Sequence, residues 1–97
     1  MIRLTARAER QFRELRQHYE DLERPAATRG LIAALEEASR KIEKSPAGGL
    51  TAPRPYPQLA CPDRLWIKAG RYWIAYEPTI LTITGVFHET ANIPGRL

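Results

Sequence analysis

The chain has 97 residues, a formal net charge of +4 and one cysteine, Cys61. This length predicts one domain over residues 1–97, and the basic excess favours an acidic partner or a solvated basic face. The chain has no apolar run long enough for a transmembrane helix, no signal-peptide core at its N-terminus and no second cysteine for a disulfide, so a cytoplasmic protein without a membrane partner is expected.

The N-terminal half predicts a short strand and two helices. Residues 2–4 alternate apolar and polar side chains, and Thr5 can cap the helix that follows. Apolar residues then recur every three or four positions, which draws one stripe along a helix. This first stripe contains Ala8, Phe12, Leu15, Tyr19 and Leu22.

A second helix is predicted to begin at Pro25 and to end before the Ser45-Pro46 pair. Its apolar stripe contains Leu31, Leu35, Ala38 and Ile42, with Ala27 and Ala34 beside it. Because the loop before Pro25 is short, the two helices should form an antiparallel hairpin. Residues 46–62 are rich in Pro and Gly and predict a loop, which is either functional or only a connection.

Residues 65–88 predict a three-stranded antiparallel meander. A type II′ turn at Gly70-Arg71 pairs Ala69 with Tyr72 and Leu65 with Tyr76. A second two-residue turn at Pro78-Thr79 would pair Tyr76 with Leu81, Ile74 with Ile83 and Tyr72 with Gly85.

In this register one face is apolar and contains Leu65, Ile67, Ala69, Tyr72, Ile74, Tyr76, Leu81, Ile83, Gly85 and Phe87. The other face is mixed and contains Trp66, Lys68, Trp73, Ala75, Glu77, Ile80, Thr82, Thr84, Val86 and His88. The predicted fold class is therefore α+β: an N-terminal strand, then an antiparallel helical hairpin packed on the apolar face of an antiparallel sheet that the C-terminal meander dominates.

Four local motifs occur in an order that resembles a known family. They are Thr5-Ala6-Arg7-Ala8 at the first helix, residues 45–49 (SPAGG) after the second, Tyr72-Trp73-Ile74-Ala75-Tyr76 in a strand, and residues 86–94 (VFHETANIP) in the tail. Together they resemble the RelE/ParE superfamily of toxins from bacterial type II toxin–antitoxin modules. The tail is most similar to the ParE-like branch.

The resemblance implies a growth-inhibiting toxin, encoded on a plasmid stabilisation or similar module, that a cognate antitoxin neutralises in a hetero-oligomer. ParE-like members inhibit DNA gyrase, and RelE-like members cut mRNA on the ribosome. A third alternative is a binding module that has lost its toxicity and still binds an antitoxin. Because such antitoxins are acidic, their binding fits the basic charge of this chain, through a helix laid in a groove or a strand added to a sheet edge.

Candidate site residues follow from these alternatives. A ribonuclease needs an acid, a base and cations that stabilise a charged phosphorane, for which the candidates are Lys68, Arg71, His88 and Glu89. Lys68 and His88 share a face in the predicted register, but a structural role for His88 is favoured, so an enzyme is the less favoured alternative. Candidates for binding a target or partner are Arg64, Trp66, Lys68, Trp73, His88 and Arg96. No Cys and His cluster has metal-binding spacing, and neither a metal nor a cofactor is expected.

Overall fold

The computed structural model describes residues 2–97 and has the predicted α+β architecture. Its elements are β1 (Arg3–Leu4), α1 (Ala6–Asp21), α2 (Pro25–Lys44), β2 (Leu65–Ala69), β3 (Tyr72–Glu77), β4 (Thr82–His88) and α3 (Ile93–Arg96). The four strands form one sheet in the order β1-β4-β3-β2. The C-terminal meander is confirmed, and β1 joins it by pairing parallel to β4, with Arg3 opposite Thr82 and Leu4 opposite Ile83.

Helix α1 begins after Thr5, as its sequence predicts. It ends at Asp21, one residue before Leu22, the last residue of the predicted apolar stripe. The Thr5 hydroxyl accepts a hydrogen bond of 3.1 Å from the Ala8 amide, which satisfies one of the free amides of the first turn. Ala8 and Tyr19 are buried, whereas Leu22 is 52% exposed. Leu22 was wrongly included in the apolar stripe. It instead begins the short loop that the sequence predicts before Pro25, since α1 ends at Asp21.

Helix α2 confirms its predicted limits and its predicted stripe. It runs from Pro25 to Lys44, and Leu31, Leu35, Ala38 and Ile42 are all buried. These side chains belong to one apolar cluster with Ala69, Tyr72, Ile74, Tyr76, Ile83 and Val86 of the sheet. The helical hairpin therefore covers one face of the sheet, which is called the helix side below.

The first hairpin of the meander has the predicted register. Ala69 pairs with Tyr72 and Leu65 pairs with Tyr76, with the three intervening pairs in step. Gly70 adopts a φ of 55°, which a type II′ turn requires and which glycine adopts without strain.

The second hairpin corrects the prediction. Its loop has four residues instead of two, and Tyr76 pairs with Ile83. A bulge follows, since Ala75 pairs with Gly85 and leaves Thr84 without a counterpart. Beyond the bulge Tyr72 pairs with His88, so Val86 and His88 lie on the helix side. Gly85 and Phe87 lie on the other face, and Leu81 is an exposed loop residue.

The face opposite the helices has a core of its own, called the loop side below. It contains Trp66, Trp73, Ala75, Phe87 and Ile93, with Tyr56, Leu59 and Ala91 packed against them. Residues 46–62 and α3 supply the cover. The long loop contains two short 3-10 helices, Pro46–Gly48 and Pro57–Leu59. Leu50 exchanges two backbone hydrogen bonds of 2.7 Å with Trp66, which ties the loop to the outer edge of β2.

Candidate functional site

Lys68 and Glu89 form an ion pair at one end of the loop side. The Lys68 Nζ atom lies 3.1 Å from the Glu89 Oε1 atom and 5.4 Å from the centre of the Trp73 ring. Arg54 of the long loop places its guanidinium 5.7 Å from the same ring. The hydrogen bond from Lys68 lowers the pKa of Glu89, and the charges of Lys68, His88 and Arg71 lower it further. Glu89 is therefore held as a carboxylate and is a poor proton donor.

His88 lies at the same end of the sheet as Lys68 and on the opposite face. The predicted shared face was wrong, because the bulge at Thr84 reverses the facing of every later residue of β4. The His88 ring packs edge-on against Tyr72 at 5.4 Å. Its Nδ1 atom accepts a 3.2 Å hydrogen bond from the Thr90 amide and lies 2.8 Å from the Thr90 hydroxyl. The geometry gives His88 structural contacts at the end of the strand.

Arg64 and Trp66 hold the long loop against the sheet. The Arg64 guanidinium stacks 5.3 Å from the centre of the Trp66 ring, and its Nη2 atom donates a 2.6 Å hydrogen bond to the Leu59 carbonyl. Trp66 is fully buried and Trp73 is 3% exposed. Both indole rings, which the sequence offered as candidates for binding a target or partner, are thus covered by the chain itself.

The remaining predicted residues are Arg71 and Arg96. Arg71 lies in the β2–β3 turn and is exposed, and its carbonyl accepts a 2.8 Å hydrogen bond from the Glu89 amide. Arg96 lies in α3, and its carbonyl accepts a hydrogen bond from the Arg7 guanidinium of α1. The structure therefore brings Lys68, Arg71, His88 and Glu89 to one end of the sheet, divides them between two faces, and places Arg64 and Arg96 elsewhere.

A groove between the two long helices is the surface that the sequence patterns missed. It encloses about 350 Å³ and is lined by Leu4, Glu9, Phe12, Arg13, Ile32, Leu35 and Glu36. Its floor is apolar, its rim carries both signs of charge, and Ile32 is 36% exposed. The one signal in the sequence is Ile32 itself, an isoleucine that lies off the buried stripe of α2.

No helix within residues 2–97 is long and apolar enough to span a membrane. Among the same residues, no group of three or more His, Cys, Asp or Glu side chains could hold a metal ion.

The fold and this arrangement define a small α+β domain with a helical hairpin on one face of a four-stranded sheet. The model of the family described as the ParE toxin of the type II toxin–antitoxin system parDE matches residues 2–93. The chain therefore belongs to the ParE toxin family, whose members are toxins of type II modules and have an antitoxin protein as partner. Comparisons with curated proteins and with solved structures give no significant match.

Proposed function

We propose that this toxin inhibits growth by acting on DNA gyrase in the cytoplasm and that a cognate acidic antitoxin neutralises it. The observation that carries the proposal is the family match, which extends over residues 2–93. The arrangement at the end of the sheet supports it as well. Lys68 and His88 face opposite sides, Glu89 is engaged by Lys68, and Arg64 is engaged by Leu59 and Trp66. These positions disfavour a concerted acid–base site.

The antitoxin segment is proposed to be an amphipathic helix that lies in the groove between α1 and α2. The groove has an apolar floor, formed by Phe12 of α1 and by Ile32 and Leu35 one turn apart on α2. A helix in such a groove buries one of its own apolar stripes. The net charge of +4 favours association with an acidic chain. Toxin and antitoxin then form a hetero-oligomer.

The antitoxin part is tested with the groove variant Ile32→Asp. A carboxylate at this half-exposed position opposes burial under an apolar helix, and the free chain tolerates it because Ile32 is already 36% exposed. We expect about tenfold or greater loss of antitoxin affinity in calorimetry, with unchanged toxicity. Ala33→Asp is the matched control, since Ala33 is an exposed neighbour that does not line the groove. Equal loss in both variants would contradict the groove assignment.

The target is tested by two assays on the same purified chain. We expect inhibition of gyrase supercoiling in vitro and a DNA damage response in bacteria that express the chain without antitoxin. If the chain instead cuts mRNA on ribosomes and Lys68→Ala or His88→Ala abolishes the cutting, it is an endoribonuclease. If expressing cells grow normally and the antitoxin still binds, the chain is a binding module without toxicity.

A further inference from the structure

A second, larger and more enclosed cavity lies between the β2–β3 turn, α1 and the first turns of α2. It encloses about 500 Å³, which is within the usual size of small-ligand sites. The residues that bear on its chemistry are Tyr19, Arg24, Gly30, Arg71, Tyr72 and His88. It shares no lining residue with the groove proposed for the antitoxin.

The cavity has a cationic lining and no carboxylate. Arg24 comes from the turn after α1, Arg71 from the β2–β3 turn and His88 from the end of β4. Neither arginine forms an ion pair with any residue in 2–97. Two nearby carboxylates are engaged by other cations, since Glu89 pairs with Lys68 at 3.1 Å and Glu20 pairs with Arg16 at 2.9 Å. Glu23 precedes Arg24 in the chain, forms no ion pair within residues 2–97 and does not line the cavity. The two guanidinium groups are therefore available to an anion.

A pair of buried hydroxyl groups adds a hydrogen-bond donor to this lining. The Tyr19 and Tyr72 hydroxyl oxygens lie 2.7 Å apart, and the two side chains are 8% and 5% exposed. One hydroxyl donates to the other, which uses one of two protons. The second proton has no protein acceptor among the described residues, so a buried donor lines the cavity without a partner.

Gly30 lines the cavity without a side chain to fill it, and a glycine at this position makes α2 less stable. It lies within α2 at an exposed position, where glycine is less favourable than alanine by about 1 kcal/mol. A Cβ atom at Gly30 would meet no atom within 4 Å. Close packing therefore does not require a glycine here, and the consequence of having one is a wider cavity.

We propose that this cavity binds the diphosphate group of a small anion, either inorganic pyrophosphate or a nucleotide. Two arginines from separate turns can each fork to two phosphate oxygens, and the free tyrosine proton and the His88 imidazole can donate to others. Phosphate oxygens point in several directions, which suits donors that come from four separate segments of the chain. The site is independent of the toxin function proposed above.

Calorimetry on the full chain tests the proposal, with pyrophosphate, ATP and sulfate as probes. We expect pyrophosphate and ATP to bind more tightly than sulfate, and Arg71→Gln or Arg24→Gln to weaken both about tenfold or more. Arg29→Gln removes the same charge from an exposed position outside the cavity and should leave binding unchanged. Tighter binding of ATP than of pyrophosphate would identify a nucleotide as the ligand, and equal binding would identify the diphosphate alone.

Gly30→Leu provides a test that does not alter charge. The added side chain should fill the cavity and abolish binding, while the thermal midpoint of the free chain stays the same or rises because leucine favours the helix. The proposal is overturned if neither diphosphate binds at millimolar concentration, if Arg29→Gln weakens binding as much as Arg71→Gln, or if Gly30→Leu binds normally.

Discussion

The two faces of the sheet are covered in different ways, and the difference shows where sequence patterns are informative. On the helix side, two long helices each bring one apolar stripe to the sheet, and the buried residues are those of the stripes and of alternating strand positions. On the loop side, a Pro-rich segment and a short C-terminal helix cover two tryptophans and a phenylalanine.

The loop side uses specific contacts where the helix side uses periodic packing. The Arg64 guanidinium, for example, donates a 2.6 Å hydrogen bond to the Leu59 carbonyl of the long loop. Arg54 and Arg64 lie over the faces of Trp73 and Trp66. Cations over aromatic rings and single hydrogen bonds depend on particular residues, so they hold a loop without any repeat that a pattern could show.

The largest effect is expected for Trp66→Ala on the loop side. Trp66 is fully buried and its ring centre lies 5.9 Å from that of Phe87, so truncation should lower the free energy of unfolding by about 3–5 kcal/mol. Urea denaturation measures the change. Ile42→Val, a small deletion in the helix-side core, should cost about 1 kcal/mol, and Trp66→Phe should fall between the two. If Trp66→Ala lowered the free energy of unfolding by less than Ile42→Val does, the long loop would not be tightly packed on Trp66.

A pH effect is expected from the helix side. Burial, followed by the hydrogen bond with Tyr19, raises the pKa of Tyr72 above its ordinary value of 10.0. The unfolded chain then ionises first, so the contribution of Tyr72 is fully present below pH about 10 and declines as the pH rises toward the folded pKa. Unfolding followed by far-ultraviolet circular dichroism between pH 8 and pH 11 measures this decline. It should be smaller in Tyr72→Phe, and an equal decline in that variant would assign the effect to other groups.

The smallest effect is expected at the rim of the loop side, for the Lys68–Glu89 pair. Both side chains are partly exposed, at 30% and 37%, and ion pairs of this kind contribute little to stability. Because the pKa of Glu89 is lowered, its contribution is present above the unfolded value and is lost as the pH falls through the folded value. A double-mutant cycle with Lys68→Gln and Glu89→Gln should give a small coupling at pH 7 that declines as the pH is lowered below 4.5. A coupling that grows as the pH is lowered would contradict this assignment.

The strand register shows where prediction from the sequence stopped. Gly70 marks the first turn because it supplies a positive φ, and the register of β2 with β3 follows from it. No comparable residue marks the second turn, where Leu81 adopts a φ of 48° without being a glycine. Residues 82–88 carry apolar side chains on both faces, so alternation alone is satisfied by more than one pairing.

Packing decides between these pairings. A Cβ atom at Gly85 would lie 2.6 Å from the Phe87 ring, so the glycine lets that ring lie flat along the loop side. Two further hydrogen bonds hold the edge of β4 that faces β1 and α1. The Thr5 amide donates a 2.9 Å hydrogen bond to the Ile83 carbonyl, and the Gln11 side chain accepts one of 2.9 Å from the Val86 amide. These contacts join residues more than seventy positions apart, and no local pattern contains them.

Local sequence features were sufficient to predict the helical hairpin, the first strand pairing, the α+β class and the family, because caps, apolar spacing, a turn glycine and short motifs are properties of neighbouring residues. The bulge, the opposite facing of Lys68 and His88, the covered tryptophans and the groove beside Ile32 became visible in the folded structure alone. Each of these features depends on contacts between residues that are distant in the sequence. Those contacts form when the long loop, the C-terminal tail and the two helices pack on one sheet.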